Sequence, residues 1–194
     1  LQPNTDKARL TAPPVFHARF ETTRGNCVLE VHRDWAPLGA DRFYYLVRNG
    51  FYDDTRFFRV VPGFMVQFGL SGDPKLSTVW RGAVIPDDTV KQTNSRGFVS
   101  YAMAGPGSRT TQVFINFGNN ALLDTQGFAP FGQVSSEDMD VIDRLYSGYG
   151  DAEPRGKGPN QTRIRNEGNQ YLDKDFPQLD KILRAVIVED QSKN

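Results

Sequence analysis

The chain has almost none of the side chains that redox and metal chemistry draw on. Cys27 is its single cysteine, so no intrachain disulfide can form and the redox compartment stays undetermined. It follows a Gly-Asn turn in an expected strand and reads as a packing residue. His17 and His32 are the only histidines. Without cysteine pairs no metal site is expected, and neither histidine belongs to a nucleophile–base–acid set. Net charge is absent too, since 23 Lys and Arg balance 23 Asp and Glu. That balance gives no global attraction to nucleic acid or an anionic membrane, and no nucleic-acid partner is expected. No apolar run nears the ~20 residues needed to span a bilayer. There is neither an internal repeat nor a low-complexity tract. The basic cluster between Arg155 and Arg165 is diluted by Gly, Pro and Asn and reads as a solvated loop.

Two apparent signatures fail. His32-Arg33-Asp34 matches the start of the kinase catalytic loop, but Gly39 stands where its Asn should be. Residues 150–157 have one residue too many between the glycines for a phosphate loop. Gly158 then stands where Ser or Thr should hold magnesium.

What remains is a chain of 194 residues, long enough for one domain that buries most of its apolar surface. Residues 1–15 are polar and lack periodicity, which predicts a flexible N-terminal arm before a single domain over 16–190. Residues 16–22 and 26–32 read as a hairpin about Arg24-Gly25. Residues 37–49 read as a helix with Leu38, Phe43, Leu46 and Val47 on one side and Gly50 ending it. Residues 71–97 are turn-rich and read as a long loop. A second helix is expected over 137–146, with Ser135 or Ser136 as N-cap and Met139, Ile142 and Leu145 facing inward. An insertion over 148–180 is Gly/Pro-rich at first and carries a short helix over 160–173 despite Gly168. Tyr171, Leu172, Phe176 and Leu179 are placed to pin it to the body. It contains no site motif, so it is expected to be an ordered appendage dispensable for chemistry.

The most informative stretch is Phe57-Phe58-Arg59-Val60-Val61-Pro62-Gly63-Phe64-Met65-Val66-Gln67-Phe68-Gly69. Two apolar runs flank a Pro-Gly pair, the punctuation of a tight turn between strands. Antiparallel pairing about Gly63 sets Arg59 opposite Gln67 and Val61 opposite Met65. In one extended strand Arg59 and Gln67 would stand roughly 26 Å apart, at about 3.3 Å per residue. Further on, the alternation of Gln112-Val113-Phe114-Ile115-Asn116-Phe117 places Gln112, Phe114 and Asn116 on one strand face. A strand over 98–104 precedes it across the turn Gly105-Pro106-Gly107-Ser108.

These segments resemble the cyclophilins, peptidyl-prolyl cis-trans isomerases whose signature reads Phe-x-Arg-hydrophobic-hydrophobic-Pro-Gly-Phe-Met-x-Gln-x-Gly. The resemblance continues through Phe98 to Pro106, Gln112 to Ile115, Leu122-Leu123-Asp124 and Phe131-Gly132-Gln133-Val134. It covers roughly residues 16–147 and returns in a final strand near 182–189. It implies a mainly β fold: a closed eight-stranded antiparallel β-barrel capped by two α-helices, with the insertion before the last strand. It also implies isomerisation of Xaa-Pro bonds, assisting protein folding, without cofactor or metal.

Isomerisation needs neither a nucleophile nor a base, only a site that favours the twisted amide over the planar one. Arg59 is the candidate donor to the prolyl nitrogen, and Gln67 would orient it or hold the substrate carbonyl. By the resemblance, Phe64, Met65, Phe114 and Leu123 line the proline pocket, while Gln112 and the backbone at Ala102 and Met103 bind the peptide. Three positions depart from the family: Leu122 replaces a frequent Trp, Phe128 the pocket-edge His, and Met103 a common Asn. Leu122 cannot donate the indole hydrogen bond to cyclosporin, so binding of that drug is expected to be weak.

Partners are expected to be Xaa-Pro polypeptides, and the chain a monomer. A signal removed before Leu1 would favour a periplasmic or secreted location, while a cytoplasmic one stays open. Two rival readings are a non-catalytic module that binds or scaffolds proline peptides, and an assembly factor acting through 148–180. Arg59 favours the enzyme, because a pure binder needs the pocket but no donor at the twisted amide.

Overall fold

The structure is a computed structural model that describes residues 1–3 and 10–188. Eight strands build one antiparallel sheet. They are β1 (Val15–Thr22), β2 (Gly25–His32), β3 (Arg59–Val61), β4 (Met65–Phe68), β5 (Phe98–Tyr101), β6 (Val113–Asn116), β7 (Pro130–Val134) and β8 (Ile182–Val188). Their order is β3-β4-β6-β5-β7-β2-β1-β8. The sheet curls into a half-barrel but does not close, contrary to the expected closed barrel. Its two edges, β3 and β8, touch through the single bridge Arg56–Lys181 that leads into both strands. There Phe57 N–H donates to Asp180 O (3.0 Å) and Ile182 N–H to Thr55 O (2.9 Å). With only three residues, β3 is too short to extend that bridge into a ladder.

Alternation sets the core. Phe16, Ala18 and Phe20 of β1 point inward with Cys27, Leu29 and Val31 of the paired β2. Phe20, Phe43, Tyr52, Phe68 and Phe131 meet there in edge-on or tilted ring contacts, arrangements that suit the quadrupoles of aromatic rings. Cys27 is buried, and burial followed by the nearby Asp138 charge pushes its thiol up to about 12. It is a packing residue, uncharged at neutral pH and so a poor nucleophile.

The helices depart more from expectation. Five short α-helices and one 3₁₀ turn, Ala121–Gln126, stand among the described residues, rather than two helices. The first, α1 (Pro37–Arg48), starts on a proline and buries Phe43, Leu46 and Val47, but Leu38 is 40% exposed. The second, α2 (Pro74–Trp80), lies inside the region read as loop. Asp73 caps it by accepting from Lys75 N–H (2.8 Å), and Pro74 fits its first turn. Helix α3 (Met139–Asp143) is shorter than expected, and its N-cap is Asp138, without a side-chain cap, not Ser135 or Ser136. Ser135 Oγ accepts from Asp138 N–H (3.1 Å) in the turn before it, and Met139, Ile142 and Leu145 are buried as expected.

The insertion folds as α4 (Gln161–Glu167) and α5 (Asn169–Asp175), broken at Gly168, where φ is +59°. A Cβ there would collide with the Gly72 carbonyl, so only glycine allows the insertion to press this closely on the lead-in to α2. Tyr171 and Leu172 pack with Phe58, Leu70 and Ile164 in a cluster of their own, flanked by Phe176 and Leu179. The pinning residues are those the sequence pattern singles out.

Of the expected arm, residues 4–9 lie outside the described residues. Its later part lies against the body: Ala12 is buried and donates its N–H to Asp41 (2.8 Å), and Arg33 N–H donates to Pro14 O (2.9 Å). The expected domain end at 190 also lies outside the described residues. No described helix is long and apolar enough to cross a membrane.

Candidate active site

The Pro62-Gly63 turn brings Arg59 opposite Gln67 and Val61 opposite Met65, the register that the sequence predicts. Gly63 takes φ +75°, a left-handed value that glycine adopts without strain. On the far side of β4, Gln67 pairs with Phe114 of β6. Three adjacent strands therefore set Arg59, Gln67 and Phe114 in a row.

Their polar atoms form a relay. Arg59 Nη1–H donates to Gln67 Oε1 (3.0 Å), and Gln67 Nε2–H donates to Gln112 Oε1 at 2.9 Å. At the other end Arg59 Nε–H and Nη2–H donate to the two carboxylate oxygens of Asp151, at 2.6 and 3.1 Å. Bidentate pairing of this kind fixes a guanidinium in plane and direction. The hydrogen bond from Arg59 is the main reason that Asp151's carboxyl is held below the usual aspartate range. A donation from Ala152 N–H (2.7 Å) adds to it. The loop behind Asp151 is itself folded. Gly158 N–H donates to Asp151 O (2.8 Å), and a Cβ on Gly156 would strike that carbonyl.

The relay borders a cavity of about 520 Å³, within the range of small-ligand sites. Arg59, Gln67, Phe64, Met65, Ala102, Met103, Gln112, Phe114, Leu123 and Phe128 all line it. Phe114 and Phe128 meet edge-on at 5.7 Å, and the Arg59 guanidinium carbon lies 6.0 Å from the Phe64 ring centre. Asparagines hold these walls in place. Asn120 Nδ2–H donates to Phe64 O (2.8 Å), and Asn94 Nδ2–H donates to Phe128 O at 2.9 Å. Leu122 stands apart from the other predicted residues. It sits on the 3₁₀ turn beside Leu123, is 79% exposed and is not part of the lining.

The 148–180 insertion, which carries no site motif, nevertheless reaches Arg59 and the cavity. Asp151 holds Arg59, and Gln161 and Arg165 of α4 line the cavity with Trp80 and Arg81 of the α2 end. Arg165, read from sequence as part of a solvated loop, is half-buried in this wall. Asp151 stands 92 residues from its partner, in a Gly-rich loop without periodicity, and nothing local marks it.

Comparison with known proteins supplies the family. The model of the cyclophilin type peptidyl-prolyl cis-trans isomerase/CLD family matches residues 17–167. The chain belongs to the cyclophilin family. It is an enzyme, a peptidyl-prolyl cis-trans isomerase. Peptidyl-prolyl cis-trans isomerase A of Dickeya dadantii is 37% identical over 135 residues, covering 66% of this cyclophilin and 70% of the relative. A peptidyl-prolyl cis-trans isomerase of Acinetobacter baylyi is 34% identical over 132 residues, covering 65% and 69%. The fold is shared with a cyclophilin of Cryptosporidium parvum crystallised in the presence of the dipeptide Ala-Pro. That match has a TM-score of 0.64 at 20% identity and covers 90% of this cyclophilin and 99% of the other chain.

Proposed function

We propose that this cyclophilin isomerises Xaa-Pro bonds by stabilising the twisted amide, with Arg59 as the donor to the prolyl nitrogen. The observation that carries this reading is the position of Arg59, held by Gln67 and Asp151 beside a cavity with Phe64, Met65, Phe114 and Leu123 in its walls. The barrier to rotation, about 18–20 kcal/mol, comes from conjugation of the nitrogen lone pair with the carbonyl. In the twisted state that lone pair is free and accepts a hydrogen bond, which the planar ground state cannot do. A donor placed for it therefore stabilises the transition state selectively.

The division of labour follows from the contacts. The apolar walls take the prolyl ring. Gln67 Oε1 and Asp151 together accept from Arg59 at Nη1, Nε and Nη2. One N–H on each terminal nitrogen is left to face a substrate. Gln112 and the backbone at Ala102 and Met103 offer polar groups to the peptide main chain. No proton changes hands and no covalent bond forms. Each tenfold in rate asks for only about 1.4 kcal/mol of selective stabilisation. The Ala-Pro dipeptide used with the Cryptosporidium parvum structure supports a prolyl peptide as the ligand class.

The test is NMR exchange spectroscopy on a short Xaa-Pro peptide with a substoichiometric amount of the chain. Cis and trans signals should exchange in well under the tens of seconds of the uncatalysed reaction. Exchange unchanged from the peptide alone would contradict the reading.

A further inference from the structure

Three arginines line the cavity and, among the described residues, no carboxylate does. The charge of Arg59 is met by Asp151. Arg81, at the C-terminal end of α2, and Arg165, on α4, have no ion-pair or hydrogen-bonding side-chain partner among the described residues. The two helices pack on each other, so the pair shares one wall of the cavity with Trp80 and Gln161. Surface arginines ordinarily extend into water or pair with acids. Here one is exposed and the other half-buried, both facing a cavity that already carries peptide-binding groups. Burial and then the like charge of Arg81 lower the pKa of Arg165, so the charged pair sits at a cost that an anion would relieve. Trp80, which lines the same wall, keeps its indole N–H buried without an acceptor among the described residues.

We infer that Arg81 and Arg165 form an anion subsite that selects Xaa-Pro peptides bearing a carboxylate or phosphate near the isomerising bond. The inference rests on the isomerase reading for the neighbouring proline pocket. A peptide held there in extended form advances about 3.3 Å per residue, so a side chain a few residues from the proline spans the cavity. Paired guanidiniums suit carboxylate and phosphate alike, because their planar forks match both acceptors.

The experiment compares peptides of one Xaa-Pro scaffold carrying Glu, Gln, Lys or phosphoserine at each flanking position in turn. At one position the Glu peptide should exceed the Gln peptide in kcat/KM by roughly fivefold, the size of a partly exposed ion pair, with Lys lowest. The preference should shrink with added salt as the Debye length falls to about 8 Å at physiological ionic strength. A phosphoserine peptide faster than Glu assigns the subsite to phosphate, and one equal or slower assigns it to carboxylate. In the double variant Arg81→Glu, Arg165→Glu the order of Glu and Lys peptides should invert; as a ratio within one protein, this is insensitive to the amount folded. Equal turnover of Glu, Gln and Lys peptides at every position would overturn the inference, as would a double variant that keeps the original preference. If no peptide is turned over, the isomerase reading fails and calorimetry on the same peptides decides the subsite. Tighter binding of Glu than Gln supports it, and equal affinity overturns it.

Discussion

Arg59 is oriented by one neighbour eight residues away and one 92 residues away, and only the first was legible in the sequence. A two-residue period on either side of Pro62-Gly63 fixes the Arg59–Gln67 register, because a slip by one would turn every side chain to the wrong face. No such rule reaches Asp151. Its role is positioning, and it can be tested apart from structure. Asp151→Asn should lower kcat several-fold with little change in KM, and Asp151→Glu should recover part of the loss, read in a protease-coupled assay. The pH dependence has a definite sign. Asp151's pKa is lowered in the folded chain, so the pair contributes fully above the unfolded value and is lost as pH falls through the folded one. Turnover should therefore hold through neutral and mildly acidic pH and decline only below the usual aspartate range, and Asp151→Asn should remove that decline. Leu122 makes the complementary case. It is exposed, carries no donor and stands outside the cavity lining. Losing one partner of a polar contact costs roughly 1–3 kcal/mol, so cyclosporin should bind about tenfold or more weakly than to a Trp-bearing relative. Leu122→Trp should recover part of that affinity in calorimetry, and tight binding by the unaltered chain would contradict the expectation.

At the scale of elements, the insertion is the ordered segment its sequence predicts, but it also reaches the cavity. Tyr171, Leu172, Phe176 and Leu179 announce a packed segment, and they do pack. What the pattern does not announce is the company that α4 and the 150–158 loop keep, since contacts between distant segments leave no period behind. Helix α2 was missed for a related reason: with seven residues, of which only Ser77 and Trp80 are buried, it is too short to show amphipathic spacing. Its Asp73-Pro74 start was the available signal. Replacing 148–180 by a short Gly/Ser linker should lower both turnover and the urea midpoint, because Asp151 leaves Arg59 and the second apolar cluster is exposed. Leu172→Ala, which leaves Asp151 in place, should cost about 2–5 kcal/mol of stability. Turnover that survives the linker replacement intact would show that Asp151 does not position Arg59.

For the whole molecule, the resemblance carries strand number, pairing direction and the half-barrel's curl, but not closure. Closure depends on how far β3 and β8 run side by side, and three residues of β3 leave a single bridge at Arg56–Lys181. Openness leaves the site intact, because the Arg59 side chain stands off the sheet face and meets Gln67 of the neighbouring β4 and Asp151 of the insertion. Fold, apolar pocket and insertion thus converge on one guanidinium. The most direct measurement is kcat/KM on a short Xaa-Pro peptide for the wild type, Arg59→Ala and Arg59→Lys, with circular dichroism verifying the fold of each. The account predicts a loss of well over tenfold for Arg59→Ala and poor rescue by Arg59→Lys, whose point charge lacks the planar fork. Wild-type turnover in a folded Arg59→Ala variant would contradict it.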